Sequence, residues 1–325
     1  MQSKMKILYM IMCHKNLRQV SGLIKQLITS DSDVVVHVDK AVSDDEYRQF
    51  QKWQQTIPNL YLTEKRIKGI LDDRTLVDVV FIMMDCVRKK GLDYQYYALL
   101  SGQDYPIKPI GMIHSTLNDT YPQPYIGCTA YSESNWIYYK FRIKRSPWVK
   151  RTDRSLTDRM GAGNPIGKML RFVLKVCRKT VAVFGASPYK KLTRMGVSLY
   201  GGSAWWILPD TAMDCIYDEY KKNTEVVRQL LVSYTPEETF FQTMAMRSPV
   251  KDAVTVDDAE TGCKTWAYFS DEGKPFVGHP YVFTVKEFEK LKASECWFAR
   301  KFDDTVDAEI LRMIDKELLV PDCSE

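Results

Sequence analysis

The sequence predicts an α/β fold in which a mostly parallel β-sheet is flanked by helices. In the first hundred residues, short apolar runs typical of buried strands alternate with longer segments whose apolar residues recur at helical spacing. The composition is ordinary for a globular protein, with 45% hydrophobic and 27% charged residues. Because alternating strands and helices favour a parallel sheet, we expect ligands at the carboxyl ends of its strands.

The elements are assigned in chain order from these apolar patterns. In the first part of the chain we expect strands at 6–13, 34–39, 60–62 and 96–100, and helices at 17–28, 44–54 and 76–88. Farther along we expect a strand at 204–208, helices at 210–223, 236–246, 284–293 and 306–318, and a separate element at 296–303. No internal repeat is visible. The length allows one large α/β domain or two smaller ones, and we assign residues 1–325 to one domain with a basic insertion at about 140–195.

Positive charge is concentrated in the basic insertion. Between Lys140 and Arg194 the chain has sixteen Lys or Arg residues and two Asp residues, a local balance of +14 in a chain of net charge +5. Such asymmetry indicates an anionic partner. Residues 167–184 can form an amphipathic helix, which fits a solvated basic face and an interfacial helix on anionic lipid equally well. Nucleic acid fits less well, because no nucleic-acid-binding motif accompanies the charge.

The cysteines and the amino terminus indicate a cytoplasmic protein. The eight cysteines are scattered, with no C-x-x-C pair, so reduced thiols are expected and a zinc site is not. No run approaches the roughly 20 apolar residues that span a bilayer. The apolar run 7–13 lacks a small-residue cleavage site and is interpreted as a first strand rather than a signal peptide. The basic insertion could still contact the inner face of the membrane peripherally.

Two adjacent carboxylates, Glu237 and Glu238, lie at the expected start of a helix. Thr235 suits the N-cap, Pro236 suits the first helical position, and Glu238 completes a capping box. The alternative is a catalytic base. The two interpretations are compatible, because a helix N-terminus holds the backbone rigidly and favours an ionised carboxylate.

Four further segments carry polar residues at strand ends or turns. They are 13–15 (Cys-His-Lys), Asp39-Lys40, 101–106 and Arg300-Lys301. Together they offer carboxylates, a glycine that permits close backbone approach, and paired cations suited to phosphate. Taken one at a time, each is better explained as a turn or as solvated charge.

The order of these segments resembles the core-2/I-branching N-acetylglucosaminyltransferase family, which includes xylosyltransferases. Five stretches carry the resemblance: 36–40 (VHVDK), 99–108 (LLSGQDYPIK), 202–208 (GSAWWIL), 236–238 (PEE) and 298–303 (FARKFD). It covers nearly the whole chain and is weakest between about 110 and 195. The resemblance implies a GT-A type, Rossmann-like fold and an inverting glycosyltransferase that uses a UDP-sugar without a metal.

The resemblance also implies roles for individual residues. Glu238 corresponds to the catalytic base of the family, and Glu237 replaces the usual aspartate before it. Lys301 corresponds to the lysine that faces the diphosphate, and Asp39 to a nucleoside contact. Lys68-Gly69-Ile70 stands where the family has Trp-Gly, so the donor sugar stays open between N-acetylglucosamine and xylose.

The chemistry of inverting transfer needs the same groups. A carboxylate takes the proton of the acceptor hydroxyl as it attacks, and fixed cations or a metal meet the charge of the departing UDP. Arg300 and Lys301 can supply that charge. The residue that completes the diphosphate site stays open among Arg300, Lys274 and His279. The other expected donor contacts follow the first two strands: Cys13, His14, Asp39 and Lys40.

Two patterns for metal binding are weak. Asp31-Ser32-Asp33 has the Asp-x-Asp spelling of metal-dependent GT-A enzymes but precedes its strand, at the wrong end of the sheet. His37 and Asp39 share one side of a strand, yet two ligands make a weak site. We therefore expect no metal and no cofactor.

Aromatic residues are the candidates for contact with the acceptor sugar, because a ring packs on the apolar face of a pyranose. Trp266 and Tyr268 correspond by position to the Trp-x-Tyr acceptor contacts of the family. Trp206 is a further candidate, although one of Trp205 and Trp206 should face the core. Asp104 is expected to orient the donor or acceptor sugar.

The sequence thus predicts an inverting, metal-independent glycosyltransferase with Glu238 as general base. The expected acceptor is a hydroxyl of a glycan or lipid-linked glycan, in the assembly of a cell-surface polysaccharide at the inner membrane face. Two alternatives remain open: a carbohydrate-binding relative without catalysis, and a metal-dependent transferase of different donor specificity.

Overall fold

The computed structural model describes residues 5–132, 164–169, 172–173, 176, 188–233, 235–258, 262–269 and 279–320. Its strands are β1 (Ile7–Cys13), β2 (Ser32–Val38), β3 (Leu60–Leu62), β4 (Tyr96–Ser101), β5 (Asp104–Pro106), β6 (Tyr125–Ile126), β7 (Thr129–Ala130), β8 (Tyr200–Gly201), β9 (Trp206–Pro209), β10 (Thr265–Ala267) and β11 (Phe298–Arg300). Its α-helices are α1 (Leu17–Leu27), α2 (Asp44–Thr56), α3 (Thr75–Arg88), α4 (Ile110–Thr120), α5 (Pro188–Arg194), α6 (Asp210–Lys222), α7 (Glu225–Leu231), α8 (Phe240–Ala245), α9 (Phe288–Ala293) and α10 (Glu309–Glu317).

The central sheet has six strands in the order β3-β2-β1-β4-β9-β6. The first four are mutually parallel, and β9 is antiparallel to both β4 and β6. From β1 the chain builds outward to β2 and β3 and then returns to place β4 on the other side of β1. The reversal makes the carboxyl ends of β1 and β4 a topological switch point, where ligands bind in open α/β sheets, and we name the region beyond these strand ends the crevice. The predicted α/β fold with a mostly parallel sheet flanked by helices is confirmed.

Helices cover both faces of the sheet because its strands are apolar on both sides. All seven residues of β2 are buried. Alternate residues of β1 belong to two separate hydrophobic clusters, with Tyr9 and Ile11 in one and Leu8 and Met10 in the other. Such strands appear in the sequence as unbroken apolar runs, which is why they were recognisable there.

The strand β2 begins two residues earlier than expected, at Ser32. The hydroxyl of Ser32 donates to the Leu27 carbonyl at 2.6 Å. Asp33 is fully buried and lies within reach of Lys6 Nζ at 2.9 Å and the Tyr94 hydroxyl at 2.6 Å. These partners lie at the amino end of the sheet, so the Asp-x-Asp spelling is placed away from the crevice, as expected.

The expected helix at 236–246 is divided into two parts. Pro236–Glu238 forms a 3₁₀ turn, and α8 begins only at Phe240. Thr235 has a left-handed φ of 50° and its side chain makes no capping hydrogen bond, so the predicted capping box is wrong. An N-cap residue needs an extended backbone, and the left-handed conformation of Thr235 is incompatible with it.

The last part of the chain returns to the crevice through a second sheet in the order β10-β11-β5. The strand β11 pairs antiparallel with β5, which follows directly after β4, and parallel with β10. The expected separate element at 296–303 is therefore an inner strand. Most of the basic insertion, as well as Lys274, lies outside the described residues. No helix within the described ranges is long and apolar enough to cross a membrane.

Among the glycines that the structure describes, Gly202 leaves the least room for a side chain. A Cβ atom at this position would lie 1.8 Å from the carbonyl oxygen of Gly127. We expect Gly202→Ala to lower the free energy of unfolding by about 1–3 kcal/mol or more, because the two backbones must separate. Urea denaturation of the full chain measures the change.

Gly111→Ala is the matched control for this substitution. Gly111 lies in α4, and a Cβ there would meet no atom within 4 Å. We expect its unfolding free energy to stay within about 1 kcal/mol of the parent, in the stabilising direction. Equal effects of the two alanines would contradict the close approach at Gly202.

Candidate active site

Three loops meet at the carboxyl ends of β1, β2 and β4. The Asp39 amide donates to the Cys13 carbonyl at 2.8 Å, and the Gly102 amide donates to the Met12 carbonyl at 2.9 Å. A Cβ on Gly102 would lie 2.7 Å from a methyl carbon of Val20. The turn after β4 can therefore close against α1 only because residue 102 is glycine.

Asp39 fixes the loop between β3 and α3, residues 63–74. Its Oδ1 accepts the Ala41 amide and its Oδ2 accepts the Gly69 amide, both at 2.7 Å. Asp39 is only 9% exposed. Its carboxylate therefore holds the 63–74 loop at the rim of the crevice, and a nucleoside contact, as implied by the resemblance, would be made from this fixed position.

Arg66 supports the same corner and was not singled out from the sequence. Its guanidinium donates to the carbonyls of Val38, Asp39 and Val42 and lies 4.3 Å from the Tyr47 ring centroid. It also lies 3.1 Å from the Asp44 carboxylate. The sequence gives no signal for this role, because most of the acceptors are backbone carbonyls that only folding brings near Arg66.

His37 is a structural residue. Its ring nitrogens lie 3.0 Å from the Thr63 hydroxyl and 3.1 Å from the Ile67 carbonyl, and the ring is buried. These contacts also hold the 63–74 loop. Within the described part of the chain, no three His, Cys, Asp or Glu side chains are grouped so that they could hold a metal ion.

Asp104 is paired with Arg300 beneath the crevice. Asp104 is fully buried, accepts the Ser101 amide and hydroxyl at 2.8 Å, and has its Oδ1 3.3 Å from Arg300 Nε. Burial raises the pKa of the Asp104 carboxyl, and the Arg300 guanidinium opposes that shift. Asp104 has no exposed surface and contacts Arg300 directly, so its expected role in orienting a sugar would act through the Arg300 guanidinium.

Arg300 also stacks on a tryptophan. Its guanidinium carbon lies 4.0 Å from the ring centroid of Trp205, which is half-buried. Trp206 was the candidate named from the sequence for contact with the acceptor sugar, and the structure places its ring in the core. Trp206 is 1% exposed and packs 4.7 Å from the Phe241 ring, because β9 begins at Trp206 and turns its ring into the core.

Several cations converge beside this pair. Lys15 Nζ lies 2.6 Å from Asp303 Oδ2, and Asn16 donates to Asp303 Oδ1 at 2.8 Å. Burial, together with Lys15 and Arg300, lowers the pKa of Lys301. Although burial opposes it, hydrogen bonds from Lys15, Thr305 and Asn16 hold the pKa of Asp303 well below its ordinary value. Lys15 belongs to the 13–15 segment noted in the sequence but was not among the expected donor contacts.

His14 senses the same positive charge. Partial burial and the neighbouring cations Lys15, Lys301 and Arg300 lower the pKa of the imidazole, whereas Asp39 raises it. His14 is therefore largely neutral at pH 7 and can offer a hydrogen bond at the site without adding charge.

Gln19 ties three parts of the site together. Its amide nitrogen donates to the carbonyls of Gly102, at 2.9 Å, and Phe302, at 3.2 Å. Its amide oxygen accepts the Asp304 amide at 3.0 Å, and the side chain is buried. A glutamine among apolar helix residues gives no sequence signal for such a role, which depends on distant backbone groups.

The two glutamates of Pro236–Glu238 differ in surroundings. Glu237 is buried and its Oε1 accepts the Asp72 amide at 2.8 Å, so it anchors the 63–74 loop. Glu238 is half-buried, and its carbonyl accepts the Gly202 amide at 2.9 Å. Trp205, on which Arg300 stacks, follows Gly202 closely in the chain. The hydrogen bond between Gly202 and Glu238 therefore links the Glu238 backbone to the segment that carries Trp205.

The remaining sequence-predicted contacts divide into two groups. Cys13 and Tyr268 are each 2% exposed, and Tyr268 stacks on Phe283 with 5.0 Å between ring centroids. Burial raises the pKa of the Cys13 thiol to about 12. Both side chains therefore pack in the core, which does not favour their direct contact with a ligand. Trp266 is half-buried and Lys40 is exposed, and their roles stay predictions.

Comparison with known proteins identifies related sequences. The family model described as Core-2/I-Branching enzyme matches residues 7–292. Xylosyltransferase sqv-6 of Caenorhabditis elegans is 23% identical over 345 residues, covering 99% of this chain. Xylosyltransferase 2 of Rattus norvegicus and of Homo sapiens are each 24% identical over 332 residues, covering 96% of this chain.

This chain spans about a third of the length of these curated relatives, 38% of the first and 34% of the other two. The matched family range ends before β11. The strand β11 lies at the site through its antiparallel pairing with β5, and Arg300 on it contacts Asp104 and Trp205.

The cation cluster can be tested through the titration of His14. We expect Lys15→Gln to raise the pKa of His14, because one of the charges that disfavours the imidazolium is removed. Two-dimensional NMR of the histidine ring protons against pH measures the shift. Lys25→Gln, the same charge change in the last turn of α1, is the control. An unchanged His14 pKa in the Lys15 variant would contradict the convergence of these cations.

Proposed function

The chain belongs to the Core-2/I-Branching enzyme family, and we propose that it is a glycosyltransferase that moves one sugar from a UDP-sugar to a hydroxyl group of a glycan, with inversion at the anomeric carbon. The observation that carries this proposal is the convergence of Lys15, Arg300 and Lys301 at the carboxyl ends of parallel strands. Nucleotide ligands bind at that edge in folds of this type.

The cation cluster suits a diphosphate leaving group. Arg300 is oriented by Asp104 and Trp205, and Lys15 is oriented by Asp303. The pKa of Lys301 is lowered by burial and by the two neighbouring cations, so a bound dianion would relieve repulsion that is already present. Fixed cations of this kind stabilise the negative charge that develops on UDP as the glycosidic bond breaks. We therefore propose that the reaction needs no metal ion.

Glu238 is the proposed general base. In this step the acceptor oxygen forms a bond to the anomeric carbon, the bond from that carbon to the UDP oxygen breaks, and the electron pair leaves with UDP. The Glu238 carboxylate takes the hydroxyl proton. Its half-buried position, and a backbone held between Thr235 and Gly202, favour a fixed carboxylate. Glu237 is proposed to act only through the loop that it anchors.

Xylose and N-acetylglucosamine are the proposed donor sugars. The curated relatives are named xylosyltransferases, which favours xylose. The 63–74 loop is held by Asp39 and Glu237 and borders the site. It contains Lys68-Gly69-Ile70, the segment that differs from the Trp-Gly of the family, so both sugars are kept as proposed donors. Trp266, half-buried beside β11, is the proposed aromatic contact for the acceptor glycan.

A donor panel tests the function directly. UDP-xylose, UDP-N-acetylglucosamine, UDP-glucose and UDP-galactose are compared for calorimetric binding and for slow hydrolysis, with and without EDTA. We expect binding of at least one donor that chelator does not change. Lys301→Gln should weaken UDP binding about ten- to hundredfold, through loss of a charge-assisted contact. Lys25→Gln, remote from the site, should not. Binding of none of the four donors would overturn the transferase proposal.

Paired substitutions test the base. Glu238→Gln keeps the shape of the side chain but cannot accept the proton, so we expect transfer to fall about 10²- to 10⁴-fold while UDP affinity is kept. Glu237→Gln keeps an oxygen for the Asp72 amide and should retain transfer within about tenfold. Single-turnover kinetics with the natural acceptor give the comparison. Full transfer by Glu238→Gln would show that another group is the base.

A further inference from the structure

The described part of the basic insertion presents an unusual apolar surface. Residues 165–169, 172–173 and 176 are helical. Five of their side chains form what we name the apolar arc: Ile166, Met169, Phe172, Val173 and Val176, which are 58, 62, 67, 49 and 47% exposed. At 100° per residue, these positions fall within about 120° of a helical wheel. In a helix packed on the core, apolar side chains on one face would be mostly buried, whereas these five are about half or more exposed.

The helices of the central fold behave differently. α1 buries Val20, Leu23, Ile24 and Leu27 against the sheet, and α10 buries Ile310 and Ile314. A helix whose apolar side chains stay in water has an unfavourable hydration free energy of about 25 cal/mol per Å² of apolar surface. Contiguous exposed apolar surface of this kind marks a docking site.

The charge around the apolar arc identifies the occupant. Lys168 is exposed and lies outside the arc on the wheel. The segment from Lys140 to Arg194 carries a balance of +14. An apolar helix face flanked by Lys and Arg matches an anionic lipid surface, which offers acyl chains below a layer of negative headgroups.

We propose that the apolar arc docks this protein on an anionic lipid bilayer. The five apolar side chains enter the boundary between headgroups and acyl chains, and Lys168 contacts the headgroup phosphates. The proposal does not rest on the proposed function, because it uses none of the residues of the crevice. If both hold, the membrane would bring the crevice to acceptors carried on lipid.

Vesicle co-sedimentation of the full chain tests the proposal. We expect binding to vesicles of phosphatidylglycerol mixed with phosphatidylcholine, and little binding to phosphatidylcholine alone. Added salt should weaken the binding. Met169→Ser combined with Val173→Ser keeps the charge and removes apolar area, so it should lower the vesicle partition coefficient about tenfold or more. Val320→Ser, 52% exposed outside the segment, should leave it unchanged.

The vesicle experiment can fail or succeed independently of the donor-binding experiment. Circular dichroism and UDP affinity should be the same in the double variant and the parent, since the apolar arc is not part of the core. Absence of binding to anionic vesicles would overturn the proposal. Equal binding of the double variant and the parent would also overturn it, because attraction would then be purely electrostatic and a nucleic acid or another polyanion could serve as well.

Discussion

The buried contact between Asp104 and Arg300 is the interaction on which the site depends. It joins β5, which follows the central strand β4, to β11, which is almost two hundred residues later in the chain. Burying two charges is costly unless each is oriented by further partners, and here Ser101 and the Trp205 ring supply them. The Arg300 guanidinium is thus held in position by contacts on the core side of the site.

A second set of contacts fixes the rim. Asp39 holds the 63–74 loop through Gly69, and Glu237 holds the same loop through Asp72. The loop is therefore attached both to the first half of the sheet and to the turn that presents Glu238. Rigid attachment of this kind would keep the proposed base, Glu238, within the small positional tolerance that transfer chemistry requires. The acidic residues next to the site act mainly through this positioning.

Local patterns predicted the central fold well, and they predicted side-chain roles less well. The strands of the parallel sheet were recognisable because burial on both faces leaves unbroken apolar runs. The capping box at Thr235 failed because the backbone there is left-handed, a conformation set by its contacts and not by its own residue type. Trp206 was preferred over Trp205, yet only the start of β9 decides which ring enters the core.

The sequence by itself determined the α/β architecture, the order of the loops at the carboxyl ends of the strands, and the identity of Glu238 and Lys301 as the residues to examine. The tertiary structure decided that Lys15 joins them, that Gln19 and Arg66 hold their backbones, and that Cys13, Asp104 and Tyr268 lie within the protein. The physical reason is the separation along the chain of the residues involved. Periodicity and turn chemistry are local properties, whereas burial and hydrogen bonding to distant carbonyls depend on neighbours that only folding brings together.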